Sequence, residues 1–155
     1  PMDMVDLLVQ NGVVANLKAG SKKQALQELS QQAAALTGSH ERVIFDVLLQ
    51  REKLGTTGIG RGIAIPHGKM QELEQLHGIF ARLPKPIDFD AIDEQPVDLI
   101  FLLLAPESAG ADHLKALARI SRLFRDDTIC AKLRGASRAE ALYALLTEPA
   151  ASHAA

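Results

Sequence analysis

Apolar positions along this chain recur with helical spacing in some stretches and as short continuous runs in others, and the switches mark candidate elements. Ser21-Lys22-Lys23-Gln24 has the form of a capping box, after which Ala25, Leu26, Leu29, Ala33 and Leu36 recur at helical spacing until Gly38. Ser39 is placed to cap a second helix with the apolar face Val43, Ile44, Val47 and Leu48, ending at Gly55. Ile63-Ala64-Ile65-Pro66 then reads as a short strand, Leu76 to Leu83 as another, and Pro84-Lys85-Pro86 as a turn. Val97 to Ala105 is a nearly continuous apolar run, the mark of a strand covered on both faces. Pro106 to Ala111 reads as a loop. Asp112 is placed to cap a helix from His113 to about Arg125, with His113, Leu117, Ile120 and Phe124 on one stripe. A short helix around Thr128–Arg134 stops at Gly135, and Ser137-Arg138-Ala139-Glu140 is a second capping box, opening a last helix through Ala141, Leu142, Leu145 and Leu146. Signals over residues 1–20 are weak, and Pro149 to Ala155 reads as a frayed tail. Helices and strands alternate without an internal repeat or long linker, so the expectation is one α/β domain over residues 1–148.

Composition narrows the possible functions. A chain of 155 residues, 47% hydrophobic and 23% charged, can bury a core without disulfides or a structural metal. A net charge of −2 with 4% aromatics offers neither the basic field nor the stacking surface of a nucleic-acid binder. No apolar run nears the ~20 residues of a membrane helix, and Pro1-Met2-Asp3-Met4 lacks a signal peptide's basic and apolar regions, so the expected location is cytoplasmic. The one cysteine, Cys130, lies in the apolar pattern Ile129-Cys130-Ala131, which suits a buried structural thiol better than a catalytic one.

The candidate chemistry lies between residues 51 and 69. Gly55-Thr56-Thr57-Gly58-Ile59-Gly60-Arg61-Gly62 holds four glycines in eight residues, which invites a nucleotide reading. The context opposes it: Gly68-Lys69 is followed by Met70 rather than Ser or Thr, and a helix precedes the glycines where a dinucleotide fingerprint needs a strand. A loop whose backbone closely approaches another surface is the better reading. Of the five histidines, His40, His67, His77, His113 and His153, none forms a metal-binding pattern, and no cofactor is implied. His67 stands out: it follows Pro66 at a strand end and precedes Gly68, which leaves the imidazole uncrowded. Arg51 projects from the buried-side stripe of its helix, either as a snorkelling side chain or as a fixed positive charge. His113 sits at a helix N-terminus, either as a polar residue of the cap region or as a neutral imidazole in an anion-attracting field.

The stretch from Arg51 to Gly60, followed by Gly62-Ile63-Ala64-Ile65-Pro66-His67-Gly68-Lys69, resembles the active-site segment of fructose/mannitol-type enzyme IIA domains of the bacterial phosphoenolpyruvate phosphotransferase system. Phe89-Asp90-Ala91-Ile92-Asp93 and Gln95-Pro96-Val97-Asp98-Leu99 resemble the nitrogen-regulatory branch of that family. The resemblance runs from about Met4 to Leu146. It implies an α/β sandwich with a mixed central sheet flanked by helices, with His67 as phosphoryl acceptor, Arg51 as the arginine that supports transfer, and His113 as the second active-site histidine. It also implies an HPr-like donor, either HPr or its nitrogen-branch relative NPr. Regulatory targets in the family include potassium-transport regulators, sensor kinases and stress-signalling enzymes. Gly55, Thr57, Gly58, Gly60, Gly62 and Gly68 are expected around the phosphate or on a flat partner surface beside His67.

Three functions compete. A regulatory phosphocarrier binds partners according to its phosphorylation state. A transport component passes phosphate to a sugar-specific IIB domain. An interaction module would keep a dead site. The branch-like segment Phe89–Leu99 favours the first, and the intact set of Arg51, His67 and His113 opposes the third. On this reading the chain is a phosphotransferase component rather than a free-standing turnover enzyme.

Overall fold

The computed structural model describes residues 2–148; the expected tail from Pro149 to Ala155 lies outside them. Every expected helix is present, and the shifts at their ends have visible causes. Helix α1 (Lys22–Thr37) starts on Ser21, whose hydroxyl accepts from the Gln24 amide at 3.1 Å, and stops at Gly38 with φ 79°. The other half of the capping box slips by one residue, because the Gln24 side chain accepts from Gly20 N–H at 2.8 Å. Ser39 does not cap α2 (Glu41–Lys53): its N–H is taken by the Thr37 hydroxyl, and His40 caps instead, Nδ1 accepting from Arg42 N–H at 3.4 Å.

Asp112 also proves not to be a cap. Helix α3 (Ala111–Phe124) starts one residue before it, after Gly110 with φ 56°, and Asp112 lies in the first turn, where its charge suits the helix dipole. Helix α4 (Asp127–Gly135) is capped by Asp126, which accepts from the amides of Thr128 and Ile129. Helix α5 (Ala139–Thr147) begins after Arg138 without a side-chain cap, so Ser137 does not form the expected box.

The strands are β1 (Val13–Val14), β2 (Gly58–Gly60), β3 (Ile63–Ala64), β4 (His67–Met70), β5 (His77–Ile87) and β6 (Val97–Pro106). They form one mixed six-stranded sheet in the order β1-β5-β6-β3-β2, with β4 also on β6. Strands β5 and β6 are antiparallel, whereas β3 and β4 both run parallel to β6. Two expectations change here. Pro84-Lys85-Pro86 is not a turn but part of β5; the ladder shifts register between Arg82 and Ile87, where two prolines lack the N–H that pairing needs. His67 opens a strand rather than following one that has ended. Strands β3 and β4 lie in line along β6, with Ala64 opposite Ile100 and His67 opposite Leu103, and the ladder is broken only at Ile65-Pro66.

Strand β6 divides the core. Ile100, Leu102 and Leu104 pack toward α1 and α2, and Leu99, Phe101 and Leu103 pack toward α3, α4 and α5. All six are at most 1% exposed, and each buried side chain of this kind contributes about 1.5–3 kcal/mol. The first face is completed by Leu26, Leu29, Ile44 and Leu48, and the second by Ile120, Phe124, Leu133 and Leu142. The molecule is therefore a single α/β sandwich with helices on both faces of the sheet.

Gly78 sits where this packing is tight against backbone as well as side chain. A Cβ there would lie 2.6 Å from the Leu7 carbonyl oxygen and 2.7 Å from the Phe101 ring. Gly78→Ala is expected to lower unfolding free energy by about 1–3 kcal/mol in urea titration. Gly135→Ala, with nothing within 4 Å of the added carbon, should change it by no more than about 1 kcal/mol.

Candidate phosphoryl-transfer site

His67 is the first residue of β4, just past the break at Pro66. Its Nδ1 lies 2.9 Å from the Ile65 carbonyl oxygen. A carbonyl can only accept, so Nδ1 carries the hydrogen and Nε2 keeps its lone pair. Strand alternation decides the neighbours. Gly68 turns toward α2, where an added Cβ would fall on the Val47 side chain, while His67 lies beside α3. The His113 ring, on the third residue of α3, stands edge-on to that of His67 with centroids 5.7 Å apart at 68°. His113 is only 7% exposed, and its Nε2 is buried without a hydrogen-bond partner.

Arg51 enters from the last turn of α2. Its guanidinium donates through Nη1 to the Gly55 carbonyl at 2.8 Å, which holds the fork against the start of the glycine loop. Arg51, His67 and His113 line one open hollow of about 420 Å³, together with Val47, Gln50, Leu54, Gly68 and Lys69. The structure thus brings the three candidate residues together.

Both imidazoles are biased toward the neutral form. Burial pulls the His67 pKa below its ordinary value, the hydrogen bond to Ile65 opposes that, and the Arg51 charge lowers it further against the pull of Glu52. Burial lowers the His113 pKa as well, helped by the charges of His67 and Lys69.

The glycine loop takes a different place from the one expected. Of its members only Gly55, through its carbonyl, reaches the site. Thr57 is 3% exposed and donates its hydroxyl to the Glu52 carboxylate. A Cβ on Gly58 would lie 2.9 Å from Ala91, Gly60 (φ 101°) rests on Asp93, and Gly62 (φ 80°) rests on Arg134 and Asp98. The expected flat partner surface of Gly58, Gly60 and Gly62 around His67 is therefore not formed. These glycines let a tight hairpin, β2 to β3, close against its own chain.

Val47, Gln50, Leu54 and Lys69 also line the hollow, and the Glu52 charge acts on His67, without being expected there from the sequence. A carboxylate in the last turn of a helix opposes the dipole, and that was the available signal for Glu52. Leu54, 86% exposed, had no such signal. Elsewhere, Cys130 is buried in α4, donates to the Phe124 carbonyl at 3.4 Å and has its thiol pKa pushed up by burial, so it is no thiolate nucleophile. His77 is half-buried in β5 and lies outside the hollow. Among the described residues, no group of three His, Cys, Asp or Glu side chains is placed to hold a metal ion. No helix among them is long and apolar enough to cross a membrane.

The lowered histidines predict a pH dependence. The unfolded chain protonates its histidines near 6.5, above the folded values, so between the two the unfolded state binds more protons. Stability should be fully developed above pH 6.5 and decline as pH falls through and below it. Urea titrations at pH 7.5 and 5.5 should show the decline, His67→Gln and His113→Gln should each reduce it, and NMR titration should place both imidazole midpoints below 6.5.

Comparison with known proteins matches residues 6–148 to the family of phosphoenolpyruvate-dependent sugar phosphotransferase system EIIA 2 domains. The chain is 60% identical over 153 residues to a nitrogen regulatory protein of Bradyrhizobium diazoefficiens, covering 99% of this chain and all of the relative. It is 47% identical over 129 residues to a nitrogen regulatory protein of Escherichia coli, covering 83% and 79%. The crystal structure of the nitrogen regulatory protein IIA-Ntr from Neisseria meningitidis superposes with a TM-score of 0.86 at 38% identity, over 91% of this chain and 97% of that one. The Escherichia coli IIA mannitol structure, at 20% identity and a TM-score of 0.75, shares the fold over 89% of this chain and 97% of its own. The chain belongs to the phosphotransferase system EIIA 2 family and, within it, is similar along nearly its whole length to the nitrogen regulatory IIA-Ntr proteins.

Proposed function

We propose that this protein is a nitrogen-regulatory phosphocarrier that accepts a phosphoryl group on Nε2 of His67 from an HPr-like carrier, HPr or NPr, and passes on its phosphorylation state to partner proteins. The observation that carries this reading is the hydrogen bond from His67 Nδ1 to the Ile65 carbonyl, which holds the neutral ring with Nε2 free. In the transfer, the Nε2 lone pair forms the new N–P bond. The donor's N–P bond breaks and its electron pair stays on the donor nitrogen. Positive charge develops on the accepting ring, and the Ile65 carbonyl stabilises it through Nδ1–H.

The migrating group spreads negative charge over three oxygens, so catalysis here is positioning and electrostatics. Arg51 supplies a permanent charge and a donor fork already tied at one corner to Gly55. His113, in the positive field of the α3 N-terminus, has an unpartnered Nε2 beside the His67 ring that a phosphoryl oxygen would satisfy. Its lowered pKa favours the neutral form, as it does for His67. The regulatory reading is supported by the relatives named above. By the family resemblance, targets include potassium-transport regulators, sensor kinases and stress-signalling enzymes.

Partner exchange follows from the surface around the hollow. Leu54 is 86% exposed, and Leu114, next to His113, is 69% exposed. A phosphohistidine adds a charge of roughly −1.5 to −2 among these apolar side chains. That penalises partners that bury them dry and favours partners that present arginine.

His67→Ala should abolish the acid-labile mass gain of one phosphoryl group after incubation with phosphorylated HPr or NPr; undiminished labelling would refute the assignment. Arg51→Ala should slow labelling by roughly 10²–10³ while keeping most of the stability, measured by quench-flow mass spectrometry and thermal melting. For at least one regulatory partner, affinity for the phosphorylated and unmodified forms should differ by more than about twofold, roughly 0.4 kcal/mol, in calorimetry with His67→Ala as control.

A further inference from the structure

Glu52 occupies an expensive position. It lies in the last turn of α2, where its charge opposes the helix dipole, and its side chain is only 3% exposed. Three donors hold it there: Lys22 Nζ at 2.8 Å, Thr57 N–H at 3.1 Å and the Thr57 hydroxyl. Lys22 belongs to α1 and its ammonium also lies 4.8 Å above the Phe89 ring, so the carboxylate is tied directly to α1 and to Thr57, and through Lys22 to Phe89.

The consequence falls on Arg51. Residues 51 and 52 are offset by about 100° around the helix, so Arg51 reaches the hollow while Glu52 turns beneath the loop. The loop between them and Thr57 is open: Gly55 has φ 150° and nothing within 4 Å of where a Cβ would stand. Its carbonyl is the acceptor that orients Arg51. On the helix side that carbonyl is located by the Gly55 N–H bond to the Glu52 carbonyl, and on the strand side by Thr57, pinned to the Glu52 carboxylate. One residue thus anchors both ends of the segment against which the guanidinium is set.

We infer that Glu52, with Thr57 and Lys22, is a positioning unit that fixes the Gly55 carbonyl and thereby aims the Arg51 guanidinium at the phosphoryl group on His67. The role rests on the reading of His67 as phosphoryl acceptor. Glu52 does not touch the transferred group; its positioning effect passes through Arg51 and is separate from the weaker pull of its charge on the His67 pKa.

The test follows phosphoryl transfer from phosphorylated HPr by rapid-quench intact mass and, independently of transfer, the rotation of the Arg51 guanidinium by NMR. Thr57→Val keeps the shape and removes the hydroxyl; Thr57→Ser restores it; Glu52→Gln removes the charge. Thr57→Val and Glu52→Gln should each slow transfer by roughly tenfold, within the range that a misplaced catalytic group costs. Thr57→Ser should stay within about twofold of wild type, and guanidinium rotation should quicken in Thr57→Val. In an Arg51→Ala background, Thr57→Val should cost less than about twofold, because the group it positions is gone. A folded Thr57→Val protein with wild-type transfer, an equal loss in both backgrounds, or unchanged guanidinium rotation would overturn the inference. Undiminished labelling of His67→Ala would instead refute the acceptor assignment, leaving the guanidinium measurement to decide the positioning role. If Glu52→Gln does not fold, the nearly isosteric Thr57 pair carries the test.

Discussion

Everything else in this fold leans on β6. It pairs on one side with β5 and on the other with the broken line of β3 and β4, and its side chains feed both cores alternately. A strand buried on both faces has no polar positions to spare, which is why Val97 to Ala105 is nearly unbroken apolar sequence. The partner strands, by contrast, can carry function. His67 lies opposite Leu103 in the parallel ladder, so its ring is registered against the buried central strand of the molecule. A group that must meet a phosphorus atom in line gains from such a mounting, since small displacements cost large factors in rate.

The site is assembled from one strand and two helices on opposite faces of the sheet. Strand β4 supplies His67, α2 supplies Arg51 and α3 supplies His113. The hollow lies where all three meet. Its electrostatics reconcile two demands. On the proposed reading, the acceptor must be uncharged before transfer, which burial and the Arg51 charge promote at His67. It must also tolerate positive charge during transfer, which the Ile65 carbonyl and, at longer range, Glu52 favour. Positive charge beside the ring is thereby combined with a bias of the imidazole toward its neutral form.

The glycine-rich loop is a lesson in what a motif does. Its composition suggests a surface that approaches something foreign, yet Gly58, Gly60 and Gly62 approach only their own chain. The close packing ties the β2–β3 turn to the remainder of the domain. Arg61 (φ 57°) donates to the Phe124 carbonyl at the end of α3, and Arg134 of α4 donates to the Arg61 carbonyl. The apolar surface beside His67 comes instead from Leu54 and Val47 of α2 and its C-terminal cap.

Local information in the chain was enough for the helices, the central strand and the α/β class, and it singled out His67 as a candidate. Each of these depends on a few neighbouring residues: a period, an apolar run, a proline beside a histidine. Cap identities moved by a residue because Thr37, His40 and Gly110 competed with Ser39 and Asp112 for the same backbone groups. The strand through Pro84-Lys85-Pro86 was hidden because its extended form is imposed by the sheet beside it, not by its own composition. Which glycines face inward, that Glu52 is buried under the loop, that His113 stands 5.7 Å from His67, and that Leu54 is left bare were decided by tertiary structure alone. Those are contacts between residues tens of positions apart, or orientations set by them, and no local pattern encodes the side of a packed element on which its neighbours will lie.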